Sequence, residues 1–109
     1  MAEIPASNVN ETFVLFNNNN VANSVSDSIN IARQRNFSWQ TFAASGAATL
    51  VVQVSLEPSN PTHWADLGTM DNNDIRQAEG QFSWMRVKRD GTTAPISCIF
   101  RRGLHDGGE

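Results

Sequence analysis

The sequence predicts an all-β fold: a single-domain antiparallel β-sandwich, jelly-roll-like, with an extended N-terminal arm. Three observations lead there. Apolar and polar residues alternate in short runs, most clearly where Leu50, Val52, Val54 and Leu56 share one face and Val51, Gln53, Ser55 and Glu57 the other. Clusters of Gly, Pro, Asn and Asp interrupt these runs at regular spacing, giving seven or eight short strands. No helix-period segment of about ten residues or more competes with them. At 109 residues the chain holds one core and not two.

Residues 1–11, MAEIPASNVNE, read as the extended arm, residues 12–102 as the sandwich, and residues 103–109 as a flexible Gly-rich tail. An arm of this length spans up to ~35 Å, enough to reach a neighbouring subunit. Thr12–Phe16, TFVLF, is the first strand, closed by the tract Asn17–Asn20, because asparagine favours turns over ladders. Val21–Ile31 reads as two short strands, or one strand with an irregular loop. Asn36–Ala43 alternates and carries three aromatics. Ala47–Glu57 is the best strand in the chain; long and almost uncharged, it must be either central or a covered edge.

Pro58-Ser59-Asn60-Pro61 ends that strand, since proline cannot donate to a ladder. Thr62–Leu67 resumes as a short strand, and Gly68–Gly80 reads as loop or a single helical turn. Gln81–Arg89 and Ala94–Arg101 are the last strands, which Asp90-Gly91 joins as an expected hairpin.

Composition excludes several functions. A net charge of −3 gives no basic field to hold nucleic acid. No apolar run approaches the ~18 residues of a membrane span, and no basic-then-apolar start marks a signal peptide. One cysteine, Cys98, forms no internal disulfide and fits a reducing compartment. A soluble protein made in a cytoplasm is expected, so the sequons at Asn10 and Asn36 carry little meaning. Lys88 is the one lysine, and arginines come in close pairs, Arg33/Arg35, Arg86/Arg89 and Arg101/Arg102, which suit solvated faces or interfaces.

Catalysis finds no support. His63 lies at a turn–strand junction and His105 in the tail, while Cys98 shares a strand face with Ile96 and Phe100 and reads as a small buried apolar residue. No nucleophile elbow, phosphate loop or dinucleotide fingerprint occurs. Asp71-Asn72-Asn73-Asp74 with Glu79 looks like a calcium cluster, but Ile75 stands where an oxygen ligand is needed, so a solvated loop is expected. Neither catalytic, cofactor-binding nor metal residues are therefore assigned, and no cofactor is expected. Trp39, Trp64 and Trp84 fall in three strands. Core bulk outweighs a sugar-stacking platform for them, as the chain has no tyrosine.

Two stretches carry a resemblance: VQVSLEPSNPTHWADLG and FSWMRVKRDGTTAPISCIFRR. Their elements Val54-Ser55-Leu56, Trp64–Gly68 and Trp84-Met85-Arg86-Val87 are similar to small β-sandwich structural proteins of tailed-phage virions. The resemblance covers about residues 47–101. It implies a virion protein, foremost a head decoration or cement protein that binds the major capsid protein as a homo-oligomer and stabilises the capsid. A tail, neck or fibre component and a carbohydrate-binding module are the alternatives on the same scaffold. The expected partners are virion proteins, with neither nucleic acid nor membrane, and the expected location is the virion.

Overall fold

A computed structural model describes residues 11–32, 34–43, 48–71 and 73–103. The expected arm (up to residue 10), the tail from residue 104, Arg33 and His105 lie outside the described residues. Eight strands form: β1 (Glu11–Asn19), β2 (Ile29–Asn30), β3 (Asn36–Ala43), β4 (Thr49–Ser55), β5 (Ala65–Asp71), β6 (Ile75–Glu79), β7 (Trp84–Arg89) and β8 (Ile96–Gly103). Sheet A has the order β1-β8-β3-β6 and sheet B the order β2-β7-β4-β5, with every pairing antiparallel. That double order is the jelly roll, so the expected fold class is the observed one.

Period-two alternation explains the layering. Phe37, Trp39 and Thr41 on β3, and Ile96, Cys98 and Phe100 on β8, point inward from sheet A. Leu50, Val52 and Val54 on β4, Met70 on β5, and Met85 and Val87 on β7 answer from sheet B. The two layers differ in kind. Sheet A contributes a ring cluster, with Trp39 and Phe100 centroids 5.3 Å apart and Phe37 and Phe100 6.2 Å apart. Sheet B contributes aliphatic and thioether side chains. The Trp39 Nε1–H donates to Met85 Sδ at 3.5 Å across the layers, so the indole is buried with its donor satisfied.

Several sequence expectations change. β1 continues through Asn17–Asn19 because β8 supplies a partner, and the irregularity the asparagines impose appears as register shifts after Val14 and Phe16 and as φ 51° at Asn18. Gly68–Gly80 is neither loop nor helical turn: β5 runs through it to Asp71, and β6 begins at Ile75. Asp90-Gly91 is not a hairpin. Met85 and Val87 face the core from sheet B and Ile96 and Cys98 from sheet A, so the chain must change sheets at this point. Asp90 builds that corner, its carboxylate accepting from the Thr49 and Thr92 N–H groups at 3.1 and 3.2 Å. Desolvation pushes this carboxyl up, but the Thr92 and Thr49 hydrogen bonds and the Arg89 charge outweigh it and hold its pKa below the ordinary value.

Val21–Ile31 resolves into the two-residue β2 and a single bridge from Val25 to Lys88. The long β4 is central, between β7 and β5. Its lack of charge therefore reflects burial by neighbours within the sheet, not a covered edge.

Candidate functional site

The chemistry-bearing residues divide by the side of the sheet they occupy. Arginine pairs split across the sandwich: Arg101 points out and Arg102 in, Arg86 out and Arg89 in, as odd sequence separations demand. The inward ones fasten the layers at their open rims. Arg89, 1% exposed, reaches from β7 to the Asn19 carbonyl on β1 and donates to the Thr92 carbonyl at 2.8 Å. Arg102 lies over the Phe13 ring and donates to the Asn30 carbonyl on β2. On the opposite rim Arg76 runs from β6 to the Leu67 carbonyl on β5 at 3.4 Å. Gly68 makes room for it, since a Cβ there would run into the guanidinium. β5 bulges beside this glycine, because Gln53 pairs Asp66 whereas Val52 pairs Gly68, leaving Leu67 as the extra residue.

Loop 56–64 joins β4 to β5 and is tied by one carboxylate. Glu57 Oε1 accepts the backbone N–H groups of Thr62 and His63, both at 2.7 Å, and Oε2 lies 3.3 Å from His63 Nδ1. The His63 and Thr62 N–H donors, with the His63 ring, hold the Glu57 carboxyl at about 2. Asn60 completes the turn in the left-handed region, φ 46°. No relay is built here: Thr62 Oγ1 and Glu57 both meet the same ring nitrogen of His63, so the imidazole cannot pass a proton from one to the other. Cys98 is buried on the core face and its thiol is pushed up to about 12 by desolvation, which leaves it inert at neutral pH.

The Asp71–Asp74 turn spends its oxygens internally. Asp74 accepts the Ile75 and Asp71 N–H groups at 2.9 and 3.3 Å, and the buried Thr41 hydroxyl donates to the Asp71 carbonyl at 2.5 Å. Among the described residues no group of three or more His, Cys, Asp or Glu is arranged to hold a metal ion.

The tryptophans separate. Trp39 is core, as expected. Trp64 and Trp84 are half-buried on the outer side of sheet B, which the core reading missed. Trp84 donates to the Pro58 carbonyl at 3.4 Å beneath the proline turn. Trp64 carries the Arg86 guanidinium 4.3 Å from its ring centroid. The cue lay in strand parity: Trp84 and Arg86 share a face opposite Met85 and Val87. Arg86 Nε donates to Gln53 Oε1 at 2.8 Å, and Gln53 Nε2 donates to Asp66 Oδ1 at 3.0 Å, forming a polar row over β7, β4 and β5. A cleft of about 560 Å³ opens beside Trp64, lined by Val54, Leu56, Glu57, His63 and Phe82 among others.

The outer side of sheet A is different. Register aligns Val14, Ile99, Gln40 and Ile75 in one row over all four strands, and Thr12, Arg101, Ser38 and Gln77 in the next. Val14 is 66% exposed and Ile75 62%, and Phe42 stands one row further on. These two rows hold one cation and no carboxylate.

No family model and no curated protein matches the sequence. Solved structures are similar to it. The SPBc2 prophage-derived protein YomS has a TM-score of 0.67 at 8% identity, over 85% of this chain and 91% of YomS. The PBSX exported protein XepA has a TM-score of 0.57 at 10% identity, over 91% of this chain but 39% of XepA. The subunit fold of Bacillus endospore appendages, a family of disulfide-linked pili, gives a TM-score of 0.51 at 14% identity, over 95% of this chain and 98% of that one. What these three share with the chain is the fold.

Proposed function

We propose that this chain is a structural protein of a tailed-phage virion, and within that class a head decoration or cement protein that binds the major capsid protein as a homo-oligomer. The observation that carries the reading is the outer face of sheet A, a four-stranded surface whose row Val14–Ile99–Gln40–Ile75, apolar but for Gln40, leaves Val14 and Ile75 exposed in the isolated chain. Surfaces of that kind mark protein contact sites. One of the similar structures, YomS, is prophage-derived by name and matches over nearly its full length. An enzyme is not proposed: the Thr62 hydroxyl meets His63 Nδ1, but the Glu57 carboxylate meets that same ring nitrogen, so no relay stands behind the hydroxyl. Neither nucleic acid nor membrane enters as a partner, and the proposed location is the virion. Many copies, each with a modest interface, would clamp neighbouring capsid subunits by avidity.

The test is reconstitution. Heads prepared without the protein are mixed with purified chain, and copy number and heat resistance are measured. Hundreds of copies per head and a rise in the heat-release temperature are expected. A few dozen copies confined to the neck or tail would move the protein to a joint or fibre role, and failure to bind any particle would overturn the virion reading.

A further inference from the structure

We infer that the outer face of sheet B, at the end bearing loop 56–64, binds an oligosaccharide over Trp64, Arg86, Gln53 and Asp66. The inference does not rest on the virion reading, since it concerns the opposite side of the sandwich. Arg86 and Gln53 are register partners, as are Gln53 and Asp66, so the three side chains form one row crossing the strands. Neighbouring strands lie ~4.8 Å apart, and the row therefore extends roughly 10 Å, about the length of two linked pyranose rings. Gln53 bonds to both neighbours, which sets the row before a ligand arrives and lowers the ordering cost of binding.

What the row leaves unspent defines the ligand. Among the described residues no hydrogen bond engages the terminal nitrogens of Arg86 or the second oxygen of Asp66. Arginine only donates and a carboxylate only accepts, whereas a hydroxyl does both. Neighbouring hydroxyls on a sugar satisfy both ends at once. A polyanion would meet Asp66 and a polycation Arg86, so the face discriminates against both and favours a neutral, hydroxyl-rich chain. Trp64 supplies the apolar part. Trp64 is half-buried, one face of its ring covered by the Arg86 guanidinium and its backbone held by the Glu57 clasp on the adjoining His63, and the C–H face of a pyranose would pack against the other face.

The purified full chain is applied to a printed array of neutral and acidic oligosaccharides, and the best-retained soluble oligosaccharide is titrated by calorimetry. Saturable binding to a neutral oligosaccharide is expected, with affinity reduced about tenfold or more in Trp64→Ala, Asp66→Asn and Arg86→Lys. The lysine variant keeps the charge and loses the planar fork. Ile75→Asp, on the other sheet, should leave the affinity unchanged. Circular dichroism monitors folding, and should Trp64→Ala not fold, the exposed Asp66→Asn decides. The inference is overturned if the array retains nothing, if acidic chains alone are retained, or if the sheet B variants bind as wild type does.

Discussion

On the outer face of sheet A the central row reads Val14, Ile99, Gln40, Ile75; on that of sheet B the comparable row reads Arg86, Gln53, Asp66, with Trp64 beside it. Both rows come from the same alternation, and both lie above a largely apolar inner layer in which Thr41 and Arg89 are buried. The first has few groups that water must leave at a cost, so a protein surface can cover it cheaply. The second has its polar groups locked to each other and aimed outward, so covering it with an apolar partner would strand them, while a hydroxylated ligand can replace the lost water. The sandwich is thereby two-sided: one face suited to burial against protein, the other suited to staying wet.

The largest expected effect follows from that asymmetry. Ile75→Asp or Val14→Asp sets a carboxylate in the apolar row, where burial against a partner would leave it unpaired. Loss of particle binding by about a hundredfold or more is expected, with the melting temperature moved by no more than a few degrees, because exposed substitutions alter stability by only about 0.5 kcal/mol. Binding assays on empty heads beside a thermal melt check both halves. Equal loss of head binding from Arg86→Ala would erase the proposed division of labour between the faces.

The two faces act as one body only if the layers are fastened, and the inward arginines fasten them. Arg89→Met keeps the bulk but leaves the Asn19 and Thr92 carbonyls without their buried donor; a loss of about 3 kcal/mol is expected, read as a fall in the urea midpoint. Gly68→Ala should cost less, about 1–2 kcal/mol, because the Arg76 guanidinium it displaces can swing toward the open rim. If Arg89→Met melts as wild type does, the inward arginines are passengers, and the faces are coupled by the ring-on-thioether core alone.

Much of this architecture was legible in the sequence, and the misses have physical causes. β3, β4 and β7 announce themselves through alternation, since one-sided burial enforces it. β5 and β6 do not: they are edge strands whose outward positions, Ile75 apart, are mostly polar, and MDNND looks like a loop. The Asp90-Gly91 corner has the residues of a hairpin, because a chain changing sheets needs the same backbone freedom as one turning back. Trp64 was the hardest to place. It stands between turn residues and the start of β5, with Asp66 two residues on, and only pairing over the strands brings Arg86 and Gln53 to its side. The split of the arginine pairs, by contrast, was already written in their parity.

The smallest effect concerns how firmly Trp64 is presented. The Glu57 carboxyl sits at about 2 against an ordinary 4.5, chiefly through the His63 and Thr62 N–H donors. A carboxyl depressed in the folded chain contributes stability above its unfolded value and loses it as pH falls through the folded one. The clasp should therefore be intact at neutral pH, weaken below about pH 4.5 and be gone near pH 2. Carboxyl-carbon NMR should give Glu57 a midpoint near 2, and amide exchange at Thr62 and His63, corrected for its intrinsic pH dependence, should quicken over that window. Glu57→Gln should show the quickened exchange already at neutral pH, with a small fall in the melting temperature, because it forfeits the stability that the depressed carboxyl contributes to the folded chain. A Glu57 midpoint near 4.5 would mean that the loop is not clasped, and Trp64 would then face its ligand on a mobile tether.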